Sequence, residues 1–122
     1  MDNKSIVLRK VGGFYQVFDN DALIVNYLFN YKINNYRCGF PINVINKVIN
    51  TLEEKSINYI IKGEEEIVKD YKKKNNYSKY LDKSISRSSI NRRINNILDK
   101  ISKMDENKLN DIIDIIEDYV YE

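Results

Sequence analysis

Val11–Ala22 reads VGGFYQVFDNDA, and Gly39–Gly63 reads GFPINVINKVINTLEEKSINYIIKG. In the first stretch, Gly12-Gly13 is a turn signal between two short runs that favour extended chain. Before it, Ser5–Val11 (SIVLRKV) reads as a strand. After it, Phe14–Phe18 (FYQVF) reads as a second, so the pair predicts a hairpin. Asp19 or Asn20 is placed to cap the next helix, roughly Asp21–Asn30. That helix is apolar almost all round, with Ala22, Leu23, Ile24, Val25, Leu28 and Phe29, and so predicts burial on more than one side.

The second stretch continues the alternation of strand and helix. Lys32–Cys38 reads as a strand that Gly39-Phe40-Pro41 breaks, with Pro41 suited to a helix's first turn. Ile42, Ile45, Val48, Ile49 and Leu52 keep a helical period to about Lys55. Ile57–Ile61 (INYII) is a buried-strand run. Glu64–Tyr71 reads as a further strand, with the start of a helix as the alternative. The polar run Lys72-Lys73-Lys74-Asn75-Asn76 reads as a linker or exposed turn. Beyond it, Ile90, Ile94, Ile97, Leu98 and Ile101 form one apolar helical stripe, with Ser86, Ser88 or Ser89 as its cap. Leu109, Ile112, Ile113, Ile116 and Val120 form a second, capped by Asp105. The expected fold is α/β: a mixed sheet of four or five strands over residues 1–74, flanked by helices. A C-terminal helical pair over residues 75–122 is expected to pack on the same domain.

Composition narrows the chemistry. The chain has 122 residues, 43% hydrophobic and 31% charged, which suits one globular domain rather than disorder. Apolar runs are too short to span a membrane, and the N-terminus lacks the pattern of a signal peptide. There is no histidine and one cysteine, Cys38. The usual zinc sites, Cys–His nucleophile pairs and the commonest neutral-pH acid–base group are therefore missing. No catalytic residue, metal or cofactor is assigned, and binding rather than catalysis is expected. A lone cysteine fits a reducing, cytoplasmic setting. The 17 Asn, 19 Ile and 10 Tyr, with many Lys, have AT-rich codons, which points to an AT-rich bacterium or a mobile element within one.

Charge is uneven. Asp105–Glu122 holds seven acids and one lysine, net −6, against nineteen basic and eleven acidic residues before it, net +8. Arg87, Arg92, Arg93, Lys100 and Lys103 form a basic helix that can meet phosphate or simply face solvent.

The two quoted stretches together resemble the N-terminal mismatch-recognition domain of the MutS DNA-repair family. That domain carries a G-x-Phe-Tyr-Glu-x-Phe-x-x-Asp-Ala strand and turn, then a helix, then a Gly-aliphatic-Pro that opens a second helix and a short strand. Here the first motif is Gly12-Gly13-Phe14-Tyr15-Gln16-Val17-Phe18-Asp19-Asn20-Asp21-Ala22, and the second begins Gly39-Phe40-Pro41. The resemblance covers the first half of the chain. It implies that Phe14 wedges at an unstacked base and that Gln16 contacts a base edge, where the family has Glu. An amide still offers hydrogen bonds to a base and adds no repulsion toward phosphate. The chain has no G-x-x-x-x-G-K-[ST] loop, so the ATPase of that family is not implied.

Two readings stand side by side. In the first, a stand-alone module binds mismatched, branched or single-stranded DNA through Phe14 and Gln16. Arg9, Lys10, Arg87, Arg92 and Arg93 then hold phosphates. In the second, the module binds protein. Asp111, Asp114, Glu117 and Asp118, with Glu122, mimic phosphate charge toward a host nucleic-acid enzyme, in the manner of an anti-defence or anti-CRISPR inhibitor. A homodimer through the helix pair is open in either. Phe14 has a plainer alternative as a core or hairpin aromatic. Tyr15 and Phe18 are expected in the core, and solvent exposure of Phe14 separates the cases.

Overall fold

The computed structural model describes residues 4–121. Six strands and four α-helices follow in the order β1 (Ile6–Val11), β2 (Phe14–Phe18), α1 (Asp19–Phe29), β3 (Ile33–Asn34), β4 (Arg37–Pro41), α2 (Ile45–Glu54), β5 (Tyr59–Lys62), β6 (Glu66–Lys69), α3 (Tyr77–Ile101) and α4 (Glu106–Val120). The chain is thus an α/β protein. Its strands form one mixed sheet in the order β3-β4-β2-β1-β5-β6, larger than the four or five strands expected. β1 runs parallel to β5, and every other neighbour is antiparallel. The chain divides into two compact units, and the division falls in the sequence of α3, between Arg87 and Ser88.

The first unit holds the sheet. Gly12 turns the β1–β2 hairpin at φ +60°, a region glycine enters without a Cβ clash. Period-two alternation then sorts the side chains. Ile6 and Leu8 of β1, Val17 of β2, Cys38 and Phe40 of β4, and Tyr59 and Ile61 of β5 all reach one core. Onto it α1 places Ala22, Ile24 and Val25, α2 places Val48 and Leu52, and the start of α3 places Tyr77 and Leu81. Burying an aliphatic side chain of this size contributes about 1.5–3 kcal/mol. Cutting fully buried Leu8 to alanine should cost about 2–5 kcal/mol.

Several local expectations are corrected. The single strand expected over Lys32–Cys38 is a hairpin whose turn residues, Asn35 and Tyr36, both have positive φ. The twist of such a turn suits a two-residue connection. Gly39-Phe40-Pro41 does not break a strand; it is the second half of β4. Pro41 is that strand's last residue and precedes a 3-10 turn at Ile42–Val44, so its missing N–H interrupts no ladder. Neither Asp19 nor Asn20 caps α1. Phe18 stands at the cap position without a side-chain bond, and Asp21 reaches outward instead. Its carboxylate accepts from Val7 N at 3.0 Å, where β2 has already turned away from β1, and from the Tyr77 hydroxyl on α3.

Lys72–Asn76 is tied down rather than free. Buried Asn58 donates to Asp70 at 3.1 Å and accepts from Tyr71 N at 2.6 Å, while its own N–H donates to Asn75 Oδ1 at 2.9 Å. Asn75 donates to Lys4 O and Asn76 to Lys55 O. Asn75 Oδ1 also accepts from Tyr77 N, so α3 starts well before Ser86, Ser88 and Ser89, which lie inside it. Asp105 does cap α4, accepting from Lys108 N at 3.0 Å.

Candidate nucleic-acid interface

The strand residues that do not enter the core lie on the opposite face of the sheet. On β2 these are Phe14, Gln16 and Phe18, because residues two apart share a face. Phe14 is 53% exposed and Phe18 37%, so both aromatics stand outside the core. Phe18 corrects the expectation of burial: it has the same strand parity as Phe14 and the opposite parity to Val17. Tyr15, by contrast, is half-buried, its ring 5.9 Å from that of Phe40 in the core.

Register brings other residues beside them. Gln16 stands opposite Gly39 on β4 and Arg9 on β1, and Arg9 stands beside Lys62 on β5. Phe18 pairs with Arg37, and Phe14 lies between Val11 and Pro41. Gly39 contributes no side chain, so the Gln16 amide is flanked by bare backbone on one side and a guanidinium on the other. Among the described residues no ion pair within 4 Å engages Arg9, Arg37 or Lys62. All three are exposed; Lys62 stands opposite Glu66 on β6.

Tyr36 adds an aromatic at the rim. It is exposed at the tip of the β3–β4 turn, beside Arg37, at φ +62°. A non-glycine residue there carries about 1 kcal/mol or more of strain. Its carbonyl accepts from Asp19 N at 2.8 Å, which holds the turn against the end of β2. Arg37, Lys62 and Tyr36 were not legible as site residues. Only strand register and the turn bring them to Phe18 and Arg9.

The remaining expected residues lie elsewhere. Lys10 alternates away from Arg9 and lines a shallow notch with Gly12, Lys62, Gly63 and Glu64. Arg87 is exposed at the end of the first unit. Arg92 and Arg93 are exposed on the part of α3 in the second unit, and Asp111, Asp114, Glu117 and Asp118 are exposed on α4. Glu122 lies outside the described residues.

Cys38 is on the core side of β4. Burial pushes its thiol up to about 11, and Sγ donates to Tyr31 O at 3.4 Å, so it stays a protonated core group. Among the described residues no three His, Cys, Asp or Glu side chains converge as a metal site, and no helix is long and apolar enough to cross a membrane. No protein-family model matches the chain, and no curated protein matches it in sequence.

Proposed function

We propose that this protein is a non-catalytic nucleic-acid-binding module that reads unpaired bases on the open face of its sheet. Phe14 and Phe18 stack on bases that are already unstacked, in a mismatch, a branch or a single strand. The Gln16 amide, between them on the same face, meets a base edge as donor or acceptor. Arg9, Arg37 and Lys62 surround these three and meet phosphates. The reading agrees with the roles implied for Phe14 and Gln16 by the MutS resemblance. It shifts the phosphate contacts from the α3 arginines to the sheet.

The observation that carries the proposal is Phe14, half exposed on a strand face that also holds Gln16 and, in register, Arg9. A core aromatic could not serve in this way. The test is fluorescence anisotropy at low salt with labelled single-stranded, mismatched, branched and fully matched DNA. Binding should favour the first three over the matched duplex. Phe14→Ala should weaken it by about 1–3 kcal/mol, roughly 5- to 150-fold. Equal affinity for matched duplex, or an unchanged affinity in Phe14→Ala, would remove the stacking role. No binding to any of the four would end the proposal.

A further inference from the structure

The two exposed aromatics of β2 stand in different places on the open face. Phe14 lies at the hairpin end, in a row with Val11 and Pro41 that spans only three strands. Phe18 lies level with Arg37 and Asn34 on one side. The register that pairs Gln16 with Arg9 sets Val7 level with Phe18 on the other, and Val7 continues to Ile60 and Val68. Phe18 therefore stands within a row that crosses all six strands. From Phe18 onward that row is apolar: Val7 and Ile60 are half-buried, and Val68 at the far edge is exposed.

This placement decides what kind of strand the face can take. At about 4.8 Å per strand, the row through Phe18 is about 24 Å wide. The grooves of a DNA duplex are about 12 and 6 Å wide. A face of that breadth enters neither, so Phe18 meets only a base carried out of the helix. Phe14, at the narrow end, has no such bar. The distance between the two points the same way. Four residues of strand set their Cα atoms about 13 Å apart. Stacked nucleotides rise about 3.4 Å each, which puts three further bases between the rings, where Gln16 alone stands on β2. An extended strand with splayed bases puts fewer there, and sheet faces bearing aromatics stack two or three such bases.

We infer, resting on the base-reading role proposed above, that the ligand of this face is a single strand of nucleic acid rather than a mismatched duplex. The strand lies along β2, with one base on Phe14, one on Phe18 and one between them at the Gln16 amide. Arg9 on β1 and Arg37 on β4 flank that path on its two sides and meet its phosphates. Glu66 shares the face but stands on the edge strand β6, three strands from β2.

The test is anisotropy at low salt with the full chain and three labelled probes: a DNA single strand of about 12 nucleotides, the same strand as RNA, and the same DNA strand in a duplex with one mismatch. A single strand should bind at least about 10-fold tighter than the mismatched duplex, the equivalent of one lost stack. The two sugars tell DNA from RNA, and either strand preferred to the duplex supports the inference. Phe18→Ala should weaken single-strand binding about 5- to 150-fold. Phe18→Leu, which keeps an apolar side chain and removes the ring, should do the same, and Phe18→Tyr should retain binding, all three with far-ultraviolet circular dichroism unchanged. A mismatched duplex bound as tightly as the single strands overturns the inference. So does single-strand binding that falls in Phe14→Ala and is indifferent to Phe18→Ala and Phe18→Leu. In both cases a one-ring wedge at Phe14 remains, and the base-reading proposal stands without this inference. No binding to any probe removes both and leaves the apolar row to a protein partner.

Discussion

Asp21 joins three elements with one side chain, and its replacement separates geometry from charge. It stands on α1, accepts from the backbone of β1 through Val7 N at 3.0 Å, and accepts from the Tyr77 hydroxyl on α3. Asp21→Ala takes the acceptor from Val7 N, beside buried Ile6 and Leu8, and removes the bond from the buried Tyr77 hydroxyl to α1. Each such lost bond costs about 1–3 kcal/mol, so the variant should lose about 2–6 kcal/mol. With a urea slope of about 1–2 kcal/mol/M, its unfolding midpoint should fall by roughly 2 M. Asp21→Asn behaves differently. Its carbonyl accepts from Val7 N, and its amide donates to the Tyr77 oxygen, since a hydroxyl serves as donor or acceptor. The charge is gone with the bonds kept.

That charge is unfavourable. Burial raises the Asp21 carboxyl above its ordinary 3.8, opposed by its bonds to Tyr77 and Val7 and reinforced by Asp19 nearby. Between the ordinary value and the raised one, the folded chain holds a proton that the unfolded chain releases. Folding stability from this group therefore falls as pH rises through that window and is lowest above it. Asp21→Asn should match or exceed the wild type in urea midpoint at pH 7, and its advantage should shrink as the solution is acidified. An alanine variant that loses under about 1 kcal/mol, or an asparagine variant as damaged as the alanine one, would refute this account of Asp21.

Other outcomes follow from the same geometry. Three sheet cations on phosphates give a salt slope near −2 for a single strand, so affinity should fall about 20-fold between 50 and 200 mM salt; Arg37→Gln should flatten the slope by about 0.7 in anisotropy titrations. Asn58→Ala strips the partners of Asp70 and Tyr71 N, and chemical denaturation should show a loss of about 2–4 kcal/mol. Cys38 should react with a thiol reagent at the rate of global unfolding in native buffer and rapidly in denaturant, because its thiol is buried and raised to about 11.

The parts legible in the sequence were those set by local pattern. The β1–β2 hairpin follows from Gly12-Gly13 and alternation on both sides, and α2 from its apolar period. The β3–β4 hairpin was hidden because its turn is Asn35-Tyr36 rather than a glycine pair, and because Gly39 and Pro41 look like breakers although both sit in β4. The start of α3 was hidden because its buried residues are Tyr77, Leu81 and Ser84, too few and too mixed for hydrophobicity to mark it. The anchoring of Lys72–Asn76 rests on Asn58, more than a dozen residues away, and no local signal carries that. In the candidate site, Phe14, Gln16 and Arg9 were readable along one hairpin. Arg37 and Lys62 come from strands that only long-range register brings alongside.

The ends of the sheet have a consequence for how the folded chain meets other chains. β3 has two residues, too few to template a further strand. At the other end β6 follows Glu64 and Glu65, begins with Glu66 and ends with Lys69, and all four of its residues are exposed. Short edges and charged edges both discourage strand addition. The sheet is closed to growth in its own plane, so fibril-like stacking through its edges is disfavoured even though β6 carries the apolar pair Ile67 and Val68. Phe14 and its neighbours can stay uncovered on the sheet's face without the sheet recruiting copies of itself along its rim.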